Sequence, residues 1–183
     1  TGLDHLIDPD APPLSSVFLH ELQVRRDQPR DDFLTELTTL TPDDLGGAPV
    51  TDRFLVAFLT GAMVAGHETT MNASANLTVL LSGDPELQDR LAADSTLISG
   101  AIDESLRFRS PVQSFVRTAT TATELHGCAM NEGDKLMVVF GAANHDPDRW
   151  EDPETFDPTR KANGHLSFGW GIHRCIGAPF AKI

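Results

Sequence analysis

A mainly α-helical fold with a small β portion, of the α+β type, is what this 183-residue sequence predicts. Three observations predict it. Helix caps and breakers bracket five segments between Leu14 and Phe108. Residues of high strand propensity cluster only between Phe115 and Phe140. From Gly141 to His165 the chain is irregular, punctuated by Pro147, Pro153 and Pro158.

Residues 1–13, rich in Asp and Pro, form a loose lead-in. A first helix covers Leu14 to Asp27 and is broken by Pro29, and a second covers Asp32 to Leu40, its acidic start suiting the positive end of the helix dipole. Thr41 to Val50, with Pro42, Gly46, Gly47 and Pro49, reads as a loop. Thr51 or Asp52 caps the next helix, which runs to about Ser82 and, at ~1.5 Å per residue, is some 45 Å long. Asp84 and Pro85 are a cap and first position for a short helix through Leu91. Thr96 to Phe108 follows as a helix, with Leu97, Ile98, Ala101, Ile102 and Leu106 on its apolar face. After Pro111, strands are expected at Phe115–Thr118, Thr123–Met130 and Lys135–Phe140, the last two joined by Asn131-Glu132-Gly133-Asp134 as a hairpin turn.

The formal net charge of −13 opposes broad contact with nucleic acid or an anionic membrane surface. Two cysteines far apart in sequence, Cys128 and Cys175, make no disulfide framework and point to a reducing cytoplasm. No charged-then-apolar leader opens the sequence, and its most apolar stretch, Phe54 to Ala65, is too short to span a bilayer. A soluble, cytoplasmic protein of one ordinary-sized domain is expected.

The chemistry concentrates in Phe168-Gly169-Trp170-Gly171-Ile172-His173-Arg174-Cys175-Ile176-Gly177. Glycines let the backbone adopt positive φ and approach a flat ligand. A helix start after the cysteine, with Pro179 in its first turn, would donate N–H groups to the sulfur and favour the thiolate. The loop is thus suited to present a thiolate to a metal. A buried, inert cysteine is the bland reading, and a zinc site built from His165, His173 and Cys175 is another.

The pattern Phe-x-x-Gly-x-x-x-Cys-x-Gly resembles the cysteine-ligand loop of the cytochrome P450 family, the haem-thiolate monooxygenases. The resemblance implies that Cys175 is the proximal ligand of haem b iron, with Phe168 and Gly177 part of the haem-contacting loop. Ala65-Gly66-His67-Glu68-Thr69-Thr70 is similar to the family's Ala-Gly-x-Asp/Glu-Thr stretch, which implies that Gly66 leaves a groove for dioxygen. It further implies that Glu68 and Thr69 are the acid–alcohol pair delivering protons to dioxygen. Glu104 and Arg107 match the family's structural Glu-x-x-Arg pair. Pro153-Glu154-Thr155-Phe156 matches its meander stretch, but carries Thr155 where arginine is usual, leaving a three-way network without its usual third member. Arg117 and His173 resemble the family's haem-propionate partners. Val112 and Gln113, after Pro111, match the segment that reaches substrate from the side, and Asn144-His145-Asp146-Pro147 looks like a supporting Ala-Asn-x-Asp-Pro stretch.

The implied fold is the C-terminal haem-binding half of the cytochrome P450 fold, so residues 1–183 are expected to be a partial domain. The N-terminal half and the extreme C-terminus of such a domain would be absent. The implied activity is oxidation of a small organic substrate with dioxygen and electrons from a ferredoxin-type donor. A haem-free scaffold or activator of a partner enzyme is the other reading, against which the complete cysteine loop speaks. Ser110-Pro111-Val112-Gln113 has a faint similarity to relatives acting on small aromatic acids.

Overall fold

A computed structural model describes residues 13–182, and the expected lead-in otherwise lies outside the described residues. The chain divides into two compact units, Thr1–Ala65 and Gly66–Ile183.

In the first unit, α1 (Leu14–Asp27) and α2 (Phe33–Thr39) take the predicted places. Asp32 caps α2 by accepting from Thr35 N at 2.9 Å. The same side chain accepts from Arg25 Nε at 2.6 Å, so one carboxylate both starts α2 and ties it to α1. Arg25 and the Thr35 amide together hold the Asp32 carboxyl at about 2, below its usual range. The predicted loop contains a single 3-10 turn, Pro42–Leu45, opened by a capping box between Thr41 and Asp44 and closed by Gly46 at φ 61°. Leu22, Leu37, Leu55 and Leu59 form the core, covered by Phe18, Leu34, Leu40, Val50 and Val56.

The long helix α3 (Asp52–Ser82) has the predicted extent, with Thr51 Oγ1 accepting from Phe54 N. Its buried residues are Leu55 and Leu59 alone, and Phe54, Phe58, Met63, Val64, Met71 and Val79 are exposed. No helix among the described residues is long and apolar enough to cross a membrane.

In the second unit, α4 (Pro85–Ala93) is capped by Asp84, and a 3-10 turn (Ser95–Leu97) leads into α5 (Ile98–Phe108). The expected apolar face of α5 is only partly realised. Ala101 and Leu106 are buried, Ile98 is exposed, and Glu104, Ser105 and Arg107 are buried instead. Polar groups take the interior because each finds a partner there: Ser105 Oγ donates to the Ile102 carbonyl at 2.8 Å, and Glu104 and Arg107 are paired as described below. Gly100 matters on this helix, since an added Cβ would collide with the Pro158 carbonyl of the incoming meander.

The strand expectations need correction. Thr123–Met130 is not one strand but a hairpin, β2 (Thr123–Leu125) and β3 (Cys128–Met130), turned at His126 (φ 48°) and Gly127 (φ 80°). Two successive positive-φ residues between paired positions are what a two-residue hairpin turn requires. Asn131–Asp134 therefore joins β3 to β4 (Lys135–Val139) without pairing them. The partner of β4 is β1 (Ser114–Thr118), antiparallel, with Arg117 opposite Leu136. β4 ends one residue early because Phe140 opens a four-residue helix, α6 (Phe140–Ala143).

The segment after Cys175 also differs from expectation. It is a turn followed by a 3-10 helix, Phe180–Lys182, not a regular α-helix start. Pro179 has no N–H to give, and a helix this short is marginal. Ala181 N→Gly177 O, at 2.9 Å, is the α-type bond found there.

Candidate functional site

The base of the site is built by α5 and the meander. Glu104 and Arg107, one helical turn apart, are both fully buried. Arg107 Nε and Nη2 each donate to the Glu104 carboxylate at 2.8 Å, a two-pronged pair. Its remaining donors reach the carbonyls of Asn144 (2.7 Å), Pro153 (2.9 Å) and Thr155 (3.3 Å). Every guanidinium N–H is thus used, and the group lies 5.5 Å from the Trp150 ring centroid and 5.6 Å from that of Phe108. A buried pair so completely satisfied avoids the desolvation loss of an orphaned charge.

The third member of this network, which Thr155 fails to supply, comes from Arg160. Its Nε donates to Glu104 Oε1 at 3.0 Å, and its other nitrogens reach the carbonyls of Glu151, Asp152 and Thr155. Thr155 contributes through its backbone carbonyl to both arginines. Sequence reasoning missed Arg160. The available signal was the basic pair Arg160-Lys161 between Asp157-Pro158 and the cysteine loop.

The cysteine loop stands on this base. Gly169 and Gly171 take φ 69° and 70°, values that a side chain would strain. Cys175 N–H closes the loop on the Phe168 carbonyl at 2.8 Å. Phe168 is half-buried, its ring 5.6 Å from that of His165. Burial depresses His165 from its ordinary 6.5 to about 4, outweighing the attraction of Asp103, while Lys182 and Arg174 lower it further. Outside this packed edge the loop is open. Cys175 and His173 are exposed, and Ile172 (96%) and Ile176 (99%) are almost wholly uncovered beside Trp170 and Phe180. A shallow depression of about 370 Å³ is lined by Arg174, Cys175, Ile176, Ala178, Pro179 and Lys182. An added Cβ at Gly177 would lie 3.8 Å from Cys175 Sγ, an ordinary contact.

An accessible soft thiol ringed by exposed apolar side chains fits a flat, apolar iron macrocycle carried on a single sulfur. The zinc alternative lacks its ligands: no group of three or more His, Cys, Asp or Glu residues among the described residues is arranged to hold a metal ion. His165 is committed elsewhere, with Nδ1 accepting from Ser167 N–H at 3.2 Å and Nε2 facing Asp103 at 3.9 Å.

Gly66, Glu68 and Thr69 lie on α3. Thr69 opens a half-buried stripe continued by Ala73, Asn76, Leu77 and Leu80, the spacing of one helical face. Asn76, two turns beyond Thr69, donates to the Arg109 carbonyl at 3.0 Å, so this face meets the end of α5. Glu68 is exposed, and nothing among the described residues comes within 4 Å of a Cβ built on Gly66. Arg117 is exposed on β1. Val112 is half-buried, and the Gln113 amide is turned onto the Ser110 carbonyl at 2.6 Å and packed against Gly141.

A helix-rich scaffold that bears one open cysteine on a glycine loop, above a buried glutamate–arginine brace, is the architecture of haem-thiolate proteins. The sequence profile of the family described as Cytochrome P450 matches residues 16–183, and the chain belongs to that family. Among relatives, cytochrome P450-terp of a Pseudomonas species is 37% identical over 87% of this chain and 36% of its own length. Cytochrome P450 107B1 of Saccharopolyspora erythraea is 40% identical over 87% of this chain and 39% of its own. Among solved structures, substrate-free CYP109E1 of Bacillus megaterium superposes with a TM-score of 0.85 at 35% identity, covering 92% of this chain and 43% of that one. CYP108D1 of Novosphingobium aromaticivorans gives 0.82 at 41% identity, covering 92% and 40%. The chain therefore spans less than half the length of these relatives.

Proposed function

We propose that these residues are the cysteine-ligand portion of a haem-dependent monooxygenase that uses dioxygen to oxidise a small organic substrate. The observation that carries this reading is the exposed Cys175 thiol on a glycine-built loop with apolar neighbours uncovered around it. Cys175 would hold the iron of haem b, with Phe168 and Gly177 shaping its bed and Arg117 and His173 binding its propionates. When bound, the haem supplies the redox chemistry, and a thiolate ligand pushes electron density toward the iron.

The remaining steps belong to the chain. Gly66 keeps the α3 surface free of a side chain where dioxygen would approach. Glu68, exposed, can exchange protons with solvent, and Thr69, its half-buried neighbour, can pass them inward through its hydroxyl. Val112 and Gln113 would border the substrate, and Glu104 and Arg107 keep the loop's foundation fixed. Electrons would come from a ferredoxin-type donor, and the cytoplasm is the compartment proposed.

In the whole protein, Cys175→Ser is expected to abolish the thiolate-type absorption of the reduced carbon monoxide complex, while Cys128→Ser leaves it intact. An unchanged spectrum in Cys175→Ser would end the reading.

A further inference from the structure

Behind the cysteine loop lies a buried polar cluster that the proposed chemistry does not use. Ser167, immediately before Phe168, places its Oγ 2.6 Å from the Leu106 carbonyl of α5, to which it donates. Ser110 Oγ lies 2.9 Å from Ser167 Oγ. Asn144, fully buried, donates from Nδ2 to both hydroxyls, at 2.8 Å and 3.0 Å, and its Oδ1 accepts from Leu166 N–H at 2.7 Å. The Leu166 bond fixes which end of the amide is oxygen: Ser167 gives its hydrogen to Leu106, Ser110 can give its own to Ser167 or to the same Leu106 carbonyl at 3.2 Å, and Asn144 gives one to each hydroxyl. The Asn144 carbonyl, in turn, is held by Arg107 Nη1 at 2.7 Å.

This cluster is mechanically continuous with the ligand. Ser167 is bonded to Phe168, whose carbonyl accepts the Cys175 N–H at 2.8 Å. Two links therefore separate a hydroxyl anchored on α5 from the backbone of the cysteine. On the other side of the loop Ile172 and Ile176 are almost fully exposed among the described residues, so the contacts that hold the loop here lie at its anchored edge.

We infer that Ser167, with Ser110 and Asn144, is a positioning element that fixes the Cys175 sulfur for its iron and protects the iron–thiolate bond. The inference rests on the haem-thiolate reading above. Side chains that prealign a metal ligand act on the strength of its bond without touching the metal.

The test compares Ser167→Ala, Ser167→Thr and Leu87→Ala in the whole protein, the last a core truncation in α4 away from the cluster. Two quantities are read: hydrogen exchange of the Cys175 amide, and the rate at which the reduced carbon monoxide complex loses its thiolate-type band. Losing one hydrogen bond from the anchor is expected to speed both about tenfold in Ser167→Ala. Ser167→Thr, which keeps the hydroxyl, is expected to restore both, and Leu87→Ala to move neither. Should Ser167→Ala not fold, Ser110→Ala removes one link of the anchor and carries the same comparison. Wild-type rates in the alanine variants, or equal changes in Leu87→Ala, would overturn the inference. A wild-type protein without a thiolate-type band would instead sink the haem reading, and the exchange arm would still decide whether Ser167 holds the cysteine backbone.

Discussion

Arg107 and Ile176 show the two kinds of surface this chain makes. Arg107, the most polar of side chains, is wholly buried with every donor used, whereas Ile176, among the most apolar, is 99% exposed next to Cys175. The usual assignment of polar groups to water and apolar groups to the interior is inverted at both places. The brace is inverted because its partners all lie in the same unit: helix, meander and Arg160. At the cysteine face nothing among the described residues covers Ile172 and Ile176. Foundation and face are thus complete to different degrees, and that difference can be measured.

The largest effect expected is on residues 1–183 expressed alone. With the apolar face of the cysteine loop and much of α3 uncovered, at ~25 cal/mol per Å² against a total stability of ~5–15 kcal/mol, the product should aggregate, self-associate or pack loosely. A monomeric, haem-loaded, sharply melting product would erase the contrast. Next in size is the brace. Arg107→Ala should lose about 3–5 kcal/mol in denaturant unfolding of the whole protein, because Glu104 Oε2 and the carbonyls of Asn144 and Pro153 lose their arginine donor while Arg160 still holds Oε1, and Arg107→Lys should not rescue it, because a point charge cannot serve a fork and three carbonyls. Arg160→Ala should lose less, since Glu104 keeps both bonds from Arg107.

A smaller effect is a pH dependence between the two regions. His165 is held neutral by burial, its value lowered from 6.5 to about 4, so the folded state binds fewer protons than the unfolded chain in that window. Its contribution is full above 6.5 and lost as pH falls through 4. Urea titrations of the whole protein across this range should show stability rising with pH, and His165→Asn should flatten that slope. The smallest effect belongs to the face: Ile176→Ser should change unfolding stability of the haem-free whole protein by no more than about 0.5 kcal/mol if nothing covers the side chain without haem. A larger loss would show that the protein itself covers that side chain.

How legible this was in the sequence varied with the range of the determining interaction. α1, α2 and α3 were readable because their limits are set within a few residues by Asp32, Thr51 and Pro29. The Thr123–Met130 hairpin was misread because His126, a non-glycine residue, takes positive φ, which residue type does not advertise. Cys175 and its glycines were legible as a local motif. Arg160 was not, because its bond to Glu104 closes 56 residues of chain and only the path of the meander brings them together. The exposure of Ile98 on α5 was equally hidden, since periodicity marks an apolar stripe but not what lies against it.

The convergence of carbonyls on one guanidinium carries a consequence for time rather than for stability. Arg107 reaches Asn144, Pro153 and Thr155 across separations of 37, 46 and 48 residues. Loops of that length lose more chain entropy on closing than the seven-residue link from Arg25 to Asp32, and the loss precedes the reward. The α1–α2 pair can therefore assemble early and on its own, while the meander must wait for a finished α5 to dock upon. Until that clasp shuts, the meander that leads into the cysteine loop is not fastened to α5, so the anchor of Ser167 on the Leu106 carbonyl is expected to form after it.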